Sequence, residues 1–242
     1  AQRSTRAGRI LVLDGDPTTD TVNAMLWRGN GPSLTASTPA IHALTLAQAR
    51  NGAATGTLSD PATASLAQAA YTLVVYPDDA TVQTLAAHDI DTILVPLGAS
   101  GSVALTSGLD RADGLEKVGD TNSGTVWRLR PDGLTPARVR VESASGVTTP
   151  VGSSQLRVDG DVQASGTLIL AERADSGWRA WVDGVALTPV EAADGWSQAF
   201  DMPTAGHLTV TYNAWWVVPW RIAAAACLIV AMASALSAWR KR

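Results

Sequence analysis

Asp14-Gly15-Asp16-Pro17-Thr18 puts two carboxylates into one loop, directly after the apolar run Arg9–Asp14 (RILVLD). Ligands of α/β sheets tend to bind at strand ends, so this loop stands where a ligand could reach both carboxylates. Trp178, Trp181 and Trp196 are the other residues that could meet a ligand. Period-two alternation sends Trp178 and Trp181 to opposite faces of one strand, so one ring enters the core and the other is exposed or half covered. A second ring such as Trp196 could join an exposed one as a platform for the C–H faces of a sugar. Packing in the core or between domains is the favoured reading, because tryptophan is usually well buried.

The remaining polar motifs have simpler readings. Asp78-Asp79 is placed to start a helix, where carboxylates cap free N–H groups. Gly98-Ala99-Ser100-Gly101-Ser102 lacks the spacing and the lysine of a phosphate-binding loop and reads as a connection. His42, His88 and His207 are far apart, with neither an H-x-x-x-H spacing nor a neighbouring cysteine, so no zinc site is expected. No G-x-S-x-G elbow supports a serine hydrolase, and no cofactor is expected.

The Asp14–Thr18 loop resembles the Asp-x-Asp-x-Thr loop of haloacid-dehalogenase-type phosphatases. That resemblance implies nucleophilic attack on phosphorus by Asp14, proton handling by Asp16 and charge balance by Mg²⁺. The same residues also resemble the Asp-x-Asp metal and nucleotide grip of many glycosyltransferases. The phosphatase pattern further calls for a lysine followed by an acidic pair. Here Asp78-Asp79 precede Lys117, the only lysine outside the C-terminal tail, so the order departs from that pattern.

The elements that would position these groups fall into two sets. Residues 1–131 alternate apolar runs at Arg9–Asp14, Tyr71–Tyr76, Ile90–Pro96 and Thr125–Arg130 with helical patterns at Pro39–Arg50, Pro61–Ala70 and Asp78–His88. This alternation predicts a small three-layer α/β, Rossmann-like domain with a mainly parallel sheet. After a linker at Pro131–Pro136, residues 137–213 contain strand-like runs at Ala137–Glu142, Gln155–Val158, Thr167–Ala171, Trp178–Val182, Trp196–Asp201 and His207–Tyr212. Asp159-Gly160, Asp183-Gly184 and Asp194-Gly195 suit tight hairpin turns, so an antiparallel β-sandwich is expected.

Residues 215–239 read as one transmembrane helix. No charged side chain occurs from Ile222 to Trp239, and with Val217, Val218 and Trp220 the stretch reaches the ~20 apolar residues that cross ~30 Å of hydrocarbon. Trp215, Trp216 and Trp220 at one end and Trp239 at the other suit the interfacial belts. Arg240, Lys241 and Arg242 place residues 240–242 on the cytoplasmic side and the bulk of the chain outside it. Of the 18 Lys and Arg, four belong to this region, leaving 14 against 22 Asp and Glu and a net charge of −8 on residues 1–214. Such a surface excludes nucleic acid as a partner and disfavours docking on anionic lipid. The single cysteine, Cys227, lies within the apolar stretch, so residues 1–214 hold neither disulfide nor thiol site. Ala1–Gly8 is polar and basic and is not a signal peptide, which suggests the tail of a longer multi-span protein.

Thr167–Tyr212 resembles the C-terminal extracytoplasmic end of YfhO-type bacterial membrane proteins. The matching positions are Gly177, Trp178, Ala180, Val182, Asp183 and Gly184, followed by Pro203, Gly206, His207 and Val210. The first half is similar to the segment upstream of this module in large actinobacterial multi-span membrane glycosyltransferases of the family-2 type. The segments that carry this similarity are His88–Val95, Leu109–Val118 and Gly124–Leu129. The resemblance implies an extracytoplasmic accessory region, serving cell-envelope polysaccharide assembly and holding an envelope glycan, an envelope protein or other membrane helices. It transfers no catalytic residue. The alternatives are a Mg²⁺-dependent phosphohydrolase using Asp14 and Asp16, or a structural spacer docked on other membrane helices.

Overall fold

A computed structural model of the chain describes residues 8–15, 23–27, 44–45, 61–75, 77–99, 101–152, 158–212, 219, 222–228 and 232. The described residues are mostly β, in three sheets. The first sheet comprises β1 (Arg9–Asp14), β2 (Asn23–Trp27), β3 (Leu44–Thr45), β4 (Ile90–Pro96), β5 (Leu115–Thr121) and β6 (Gly124–Leu129), ordered β3-β2-β1-β4-β6-β5. Helices α1 (Pro61–Val75), α2 (Asp79–Ala87) and α3 (Ser102–Leu109) accompany it. Their buried leucines, Val82 and the buried alanines other than Ala62 form one core with Leu11, Leu13, Ile93, Val95 and Trp127. Ile10, Val12 and Leu94 are buried on the opposite sheet face. Strands β1 and β4 are therefore buried on both sides, which is why ILVL and ILV read as unbroken apolar runs.

Three expectations for this half are corrected. The sheet is mixed: only β1 and β4 pair in parallel, while β1–β2, β2–β3, β4–β6 and β5–β6 are antiparallel. Of Tyr71–Tyr76, expected as a strand, Tyr76 lies outside the described residues and Tyr71–Val75 is the last part of α1. Leu66, Ala69, Ala70 and Leu73 keep helical spacing along its buried face, so packing overrides the β-branched Val74-Val75 ending. Within the expected helix Pro39–Arg50, Leu44–Thr45 is a short strand on β2, and the rest of that segment lies outside the described residues. The β5–β6 hairpin needs Gly124, whose φ of 138° brings its Cα so close to β4 that a Cβ would collide with the Val95 carbonyl oxygen.

The second half packs two antiparallel sheets face to face. The five-stranded sheet has the order β13-β14-β10-β7-β8, built from β7 (Val139–Glu142), β8 (Thr148–Pro150), β10 (Gly166–Arg173), β13 (Thr188–Glu191) and β14 (Ser197–Met202). The four-stranded sheet has the order β12-β11-β15-β9, from β9 (Val158–Val162), β11 (Trp178–Val182), β12 (Val185–Ala186) and β15 (Gly206–Tyr212). Val141, Leu168, Leu170, Phe200 and Met202 from the first meet Val158, Trp178, Ala180, Val182, Leu208 and Val210 from the second. At the β11–β12 hairpin Val182 pairs with Val185, and the intervening Asp183 and Gly184 have φ of 49° and 79°, as a two-residue type I′ turn demands. Asp159-Gly160 makes no turn. It lies inside β9, with Gly160 opposite Leu208 of β15.

Among the described residues no helix is long and apolar enough to cross a membrane. Residues 222–228 are helical, and Ile222 and Leu228 are 65% and 62% exposed. Pro219 and Met232 are described as well, and the remaining positions of the expected span lie outside the described residues, among them Trp215, Trp216, Trp220 and Trp239, as do Arg240, Lys241 and Arg242.

Candidate functional site

Asp14 sits exposed at the end of β1, and Asp16 lies outside the described residues. Lys117 belongs to β5, three strands away from β1 in the sheet order, a separation of ~14 Å by strand spacing alone. Its ammonium bonds Asp110 Oδ2 at 2.9 Å and lies over the Trp127 ring. The Asp78 carboxylate accepts the Thr81 hydroxyl and, at 2.7 Å as the cap of α2, the Thr81 N–H; the hydroxyl first and then the N–H hold it below the usual carboxylate range. Gly98 and Gly101, at φ of 76° and 73°, carry the chain from β4 into α3. No group of three or more His, Cys, Asp or Glu placed to hold a metal ion occurs among the described residues.

The three tryptophans separate by environment. Trp178 and Trp196 are 1% and 4% exposed and present no surface to a ligand. Trp178 fills the sandwich core edge-on to Tyr212, and its indole N–H donates to the Arg173 carbonyl. Trp196 stacks flat on His88, centroids 3.9 Å apart, across the boundary between the two halves. Only Trp181 of the three is half-buried, on the outward face of β11.

The boundary beneath Trp196 is held by buried charge. Arg9, at the start of β1, donates to the carbonyls of His88 and Ala171 and to Glu172 Oε1, all at 2.8 Å. Arg138 Nε lies 3.4 Å from the same carboxylate oxygen, and Arg140 donates to the Ala87 carbonyl at 3.1 Å. Ala62 of α1 packs against Ala171 and Trp196. Burial first, then the nearby Arg9 and Arg140 cations, push the His88 imidazole well below its ordinary value. Burial raises the neighbouring Asp89 carboxyl from 3.8 to about 7, against the pull of Arg9 and Arg138.

His88 Nε2 lies 3.1 Å from Ser65 Oγ, a nucleophile–base type of contact. The ring is fully buried beneath Trp196, and Nδ1 has no hydrogen-bond partner, so both access and the orienting third group of a triad are missing. The contact serves packing.

Sequence reasoning passed over this junction. Its signal was present in the charged residues embedded in apolar strands: Arg9 before ILVL, Arg138 and Arg140 around Val139, and Glu172 after LILA. A charge at such a position requires a buried partner.

A second polar cluster lies on the outer face of the four-stranded sheet. His207 of β15 contacts two carboxylates of β9, Nδ1 to Asp161 Oδ1 at 3.0 Å and Nε2 to Asp159 Oδ1 at 2.8 Å. Bonding to Asp161, then to Asp159, raises the imidazole above its ordinary value. Comparisons with known protein families, with curated proteins and with solved structures gave no match.

Proposed function

We propose that this chain is a non-catalytic extracytoplasmic module of a membrane glycosyltransferase-like protein of cell-envelope polysaccharide assembly, holding a glycan or a protein partner outside the membrane. The observation that carries the reading is the buried junction. Arg9, Glu172, Arg140, His88 and Trp196 tie the α/β half to the sandwich through hydrogen bonds and one ring stack. Two domains locked this way present their outer surfaces in a fixed relation, which suits a holder better than an enzyme that must close around its substrate.

The membrane part of the reading is supported by the C-terminal residues. Tyr212 ends β15 shortly before an apolar stretch whose helical residues 222–228 are exposed, leaving Ile222 and Leu228 for a non-aqueous environment. The basic residues Arg240, Lys241 and Arg242 support a cytoplasmic C-terminus in this reading.

The test is genetic. Deleting residues 1–213 from the protein in its own cells, with the rest left in the membrane, should reduce envelope polysaccharide. Unchanged polymer amount and chain length would overturn the functional half of this reading.

A further inference from the structure

With Trp178 and Trp196 buried, the outer face of the four-stranded sheet is where a half-covered indole and ordered polar groups come together. Trp178, Ala180 and Val182 of β11, Leu208 and Val210 of β15, and Val158 and Val162 of β9 all point into the core. Alternation therefore turns Trp181, His207, Thr209, Asp159 and Asp161 to the other side. Register aligns them in rows: Trp181 is opposite Thr209, Thr209 is opposite Asp159, and His207 is opposite Asp161. The row from Trp181 to Asp159 crosses two interstrand gaps, ~10 Å.

His207 contacts both carboxylates through its two ring nitrogens, which fixes their side-chain orientations before any ligand arrives. The ring and Asp161 remain open to solvent, at 49% and 74% side-chain exposure.

We propose that this face binds a neutral oligosaccharide, one pyranose packing on Trp181 while hydroxyls of the next sugar donate to Asp159 and Asp161. The inference rests on the glycan-holding reading above and gives it a place and a ligand class. An indole offers an apolar face to sugar C–H groups, and a carboxylate accepts hydroxyl hydrogen bonds that are stronger than neutral ones. Charge selects among glycans. Asp159, Asp161 and Asp183 crowd this end of the sheet, with Asp183 held by the His207 N–H at 2.9 Å, so a uronic-acid or phosphorylated polymer meets like charge.

The experiment uses the full chain in detergent micelles. Gluco-, manno-, galacto- and arabino-hexasaccharides serve as neutral probes and hexagalacturonate as the anionic one, with binding read by calorimetry and by indole fluorescence. The wild type should bind at least one neutral probe and not the anionic one. Trp181→Ala and Asp161→Asn should each weaken that binding about tenfold or more, with a thermal midpoint close to wild type. Neutral binding that survives both substitutions would overturn this site while leaving the glycan-holding reading in place. A preference for hexagalacturonate would overturn the ligand class. Failure of the wild type to bind any probe would remove the site and the glycan half of the reading together. Should Trp181→Ala fold poorly, Trp181→Leu keeps the apolar bulk and still removes the aromatic face.

Discussion

The Arg9 guanidinium meets Glu172 Oε1 at 2.8 Å across the domain boundary, with the two side chains 1% and 0% exposed. The partners are 163 residues apart in sequence, so neither charge can be buried until both domains have folded and met. A buried pair of this kind is costly to break on one side and mild to replace on both. Arg9→Met or Glu172→Gln alone should cost ~3–5 kcal/mol, measured by denaturant unfolding of the full chain, because the partner remains buried and uncompensated. The double variant should recover part of that loss. Single losses below ~1 kcal/mol would show that the junction opens without penalty.

His88 and Asp89, adjacent in the chain and both buried, give stability opposite dependences on pH. The Asp89 carboxyl is raised from 3.8 to about 7, so its contribution is full below pH 3.8 and is lost as pH rises through about 7. His88 is lowered well below 6.5, so its contribution is present above pH 6.5 and is lost as pH falls towards its folded-state value. Between these limits folding adds a proton at one residue and removes one at the other, and the two slopes oppose. Asp89→Asn should therefore lose stability as pH falls below 6.5, and His88→Gln should lose it as pH rises through about 7. Each slope is at most ~1.4 kcal/mol per pH unit. Unfolding curves collected at several pH values check this, and equal slopes in the two variants would contradict it.

Trp178 and Trp181, three residues apart on β11, should respond differently to truncation. Trp178→Ala empties a site in the sandwich core and should cost ~3–5 kcal/mol. Trp181→Ala removes a half-covered ring from the outer face and should cost ~1 kcal/mol or less. Thermal unfolding of the two variants beside wild type decides it, and a larger loss for Trp181 would invert the assignment of faces.

His207 should titrate above the ordinary histidine value, because Asp161 and then Asp159 favour its charged form. With the folded value raised, any stabilisation by this contact is present below pH 6.5 and lost as pH rises through the folded value. Asp161→Asn should return the imidazole towards 6.5. Proton chemical shifts of the His207 ring against pH measure both, and a wild-type titration below 6.5 would contradict the geometry.

Much of this architecture was legible in the chain. RILVLD, IDTILVP, WRAWV and GHLTVTY are strands, Asp78 caps a helix, and Asp183-Gly184 closes a two-residue hairpin. Failures occurred where tertiary contact outweighs local pattern. YTLVV is β-rich in composition yet helical because Leu66, Ala70 and Leu73 share one buried face. β5, LEKVGDT, is an edge strand with little apolar alternation, and without it the antiparallel hairpin onto β6 could not be foreseen. Asp159-Gly160 has the composition of a turn but continues a strand, because its neighbour across the sheet is β15 and Asp159 is held by His207. The Trp faces were half legible: alternation separates Trp178 from Trp181, but only the fold brings Trp196 onto His88.

The account places the body of the chain outside the membrane, and one labelling experiment tests that directly. Val185 is 69% exposed on the sandwich, and Cys227 is the single cysteine of residues 1–242. A Val185→Cys variant carrying Cys227→Ser is treated in intact cells with a membrane-impermeant maleimide. The account predicts labelling without permeabilisation. Labelling only after the cells are opened would place the sandwich in the cytoplasm and contradict the proposed function.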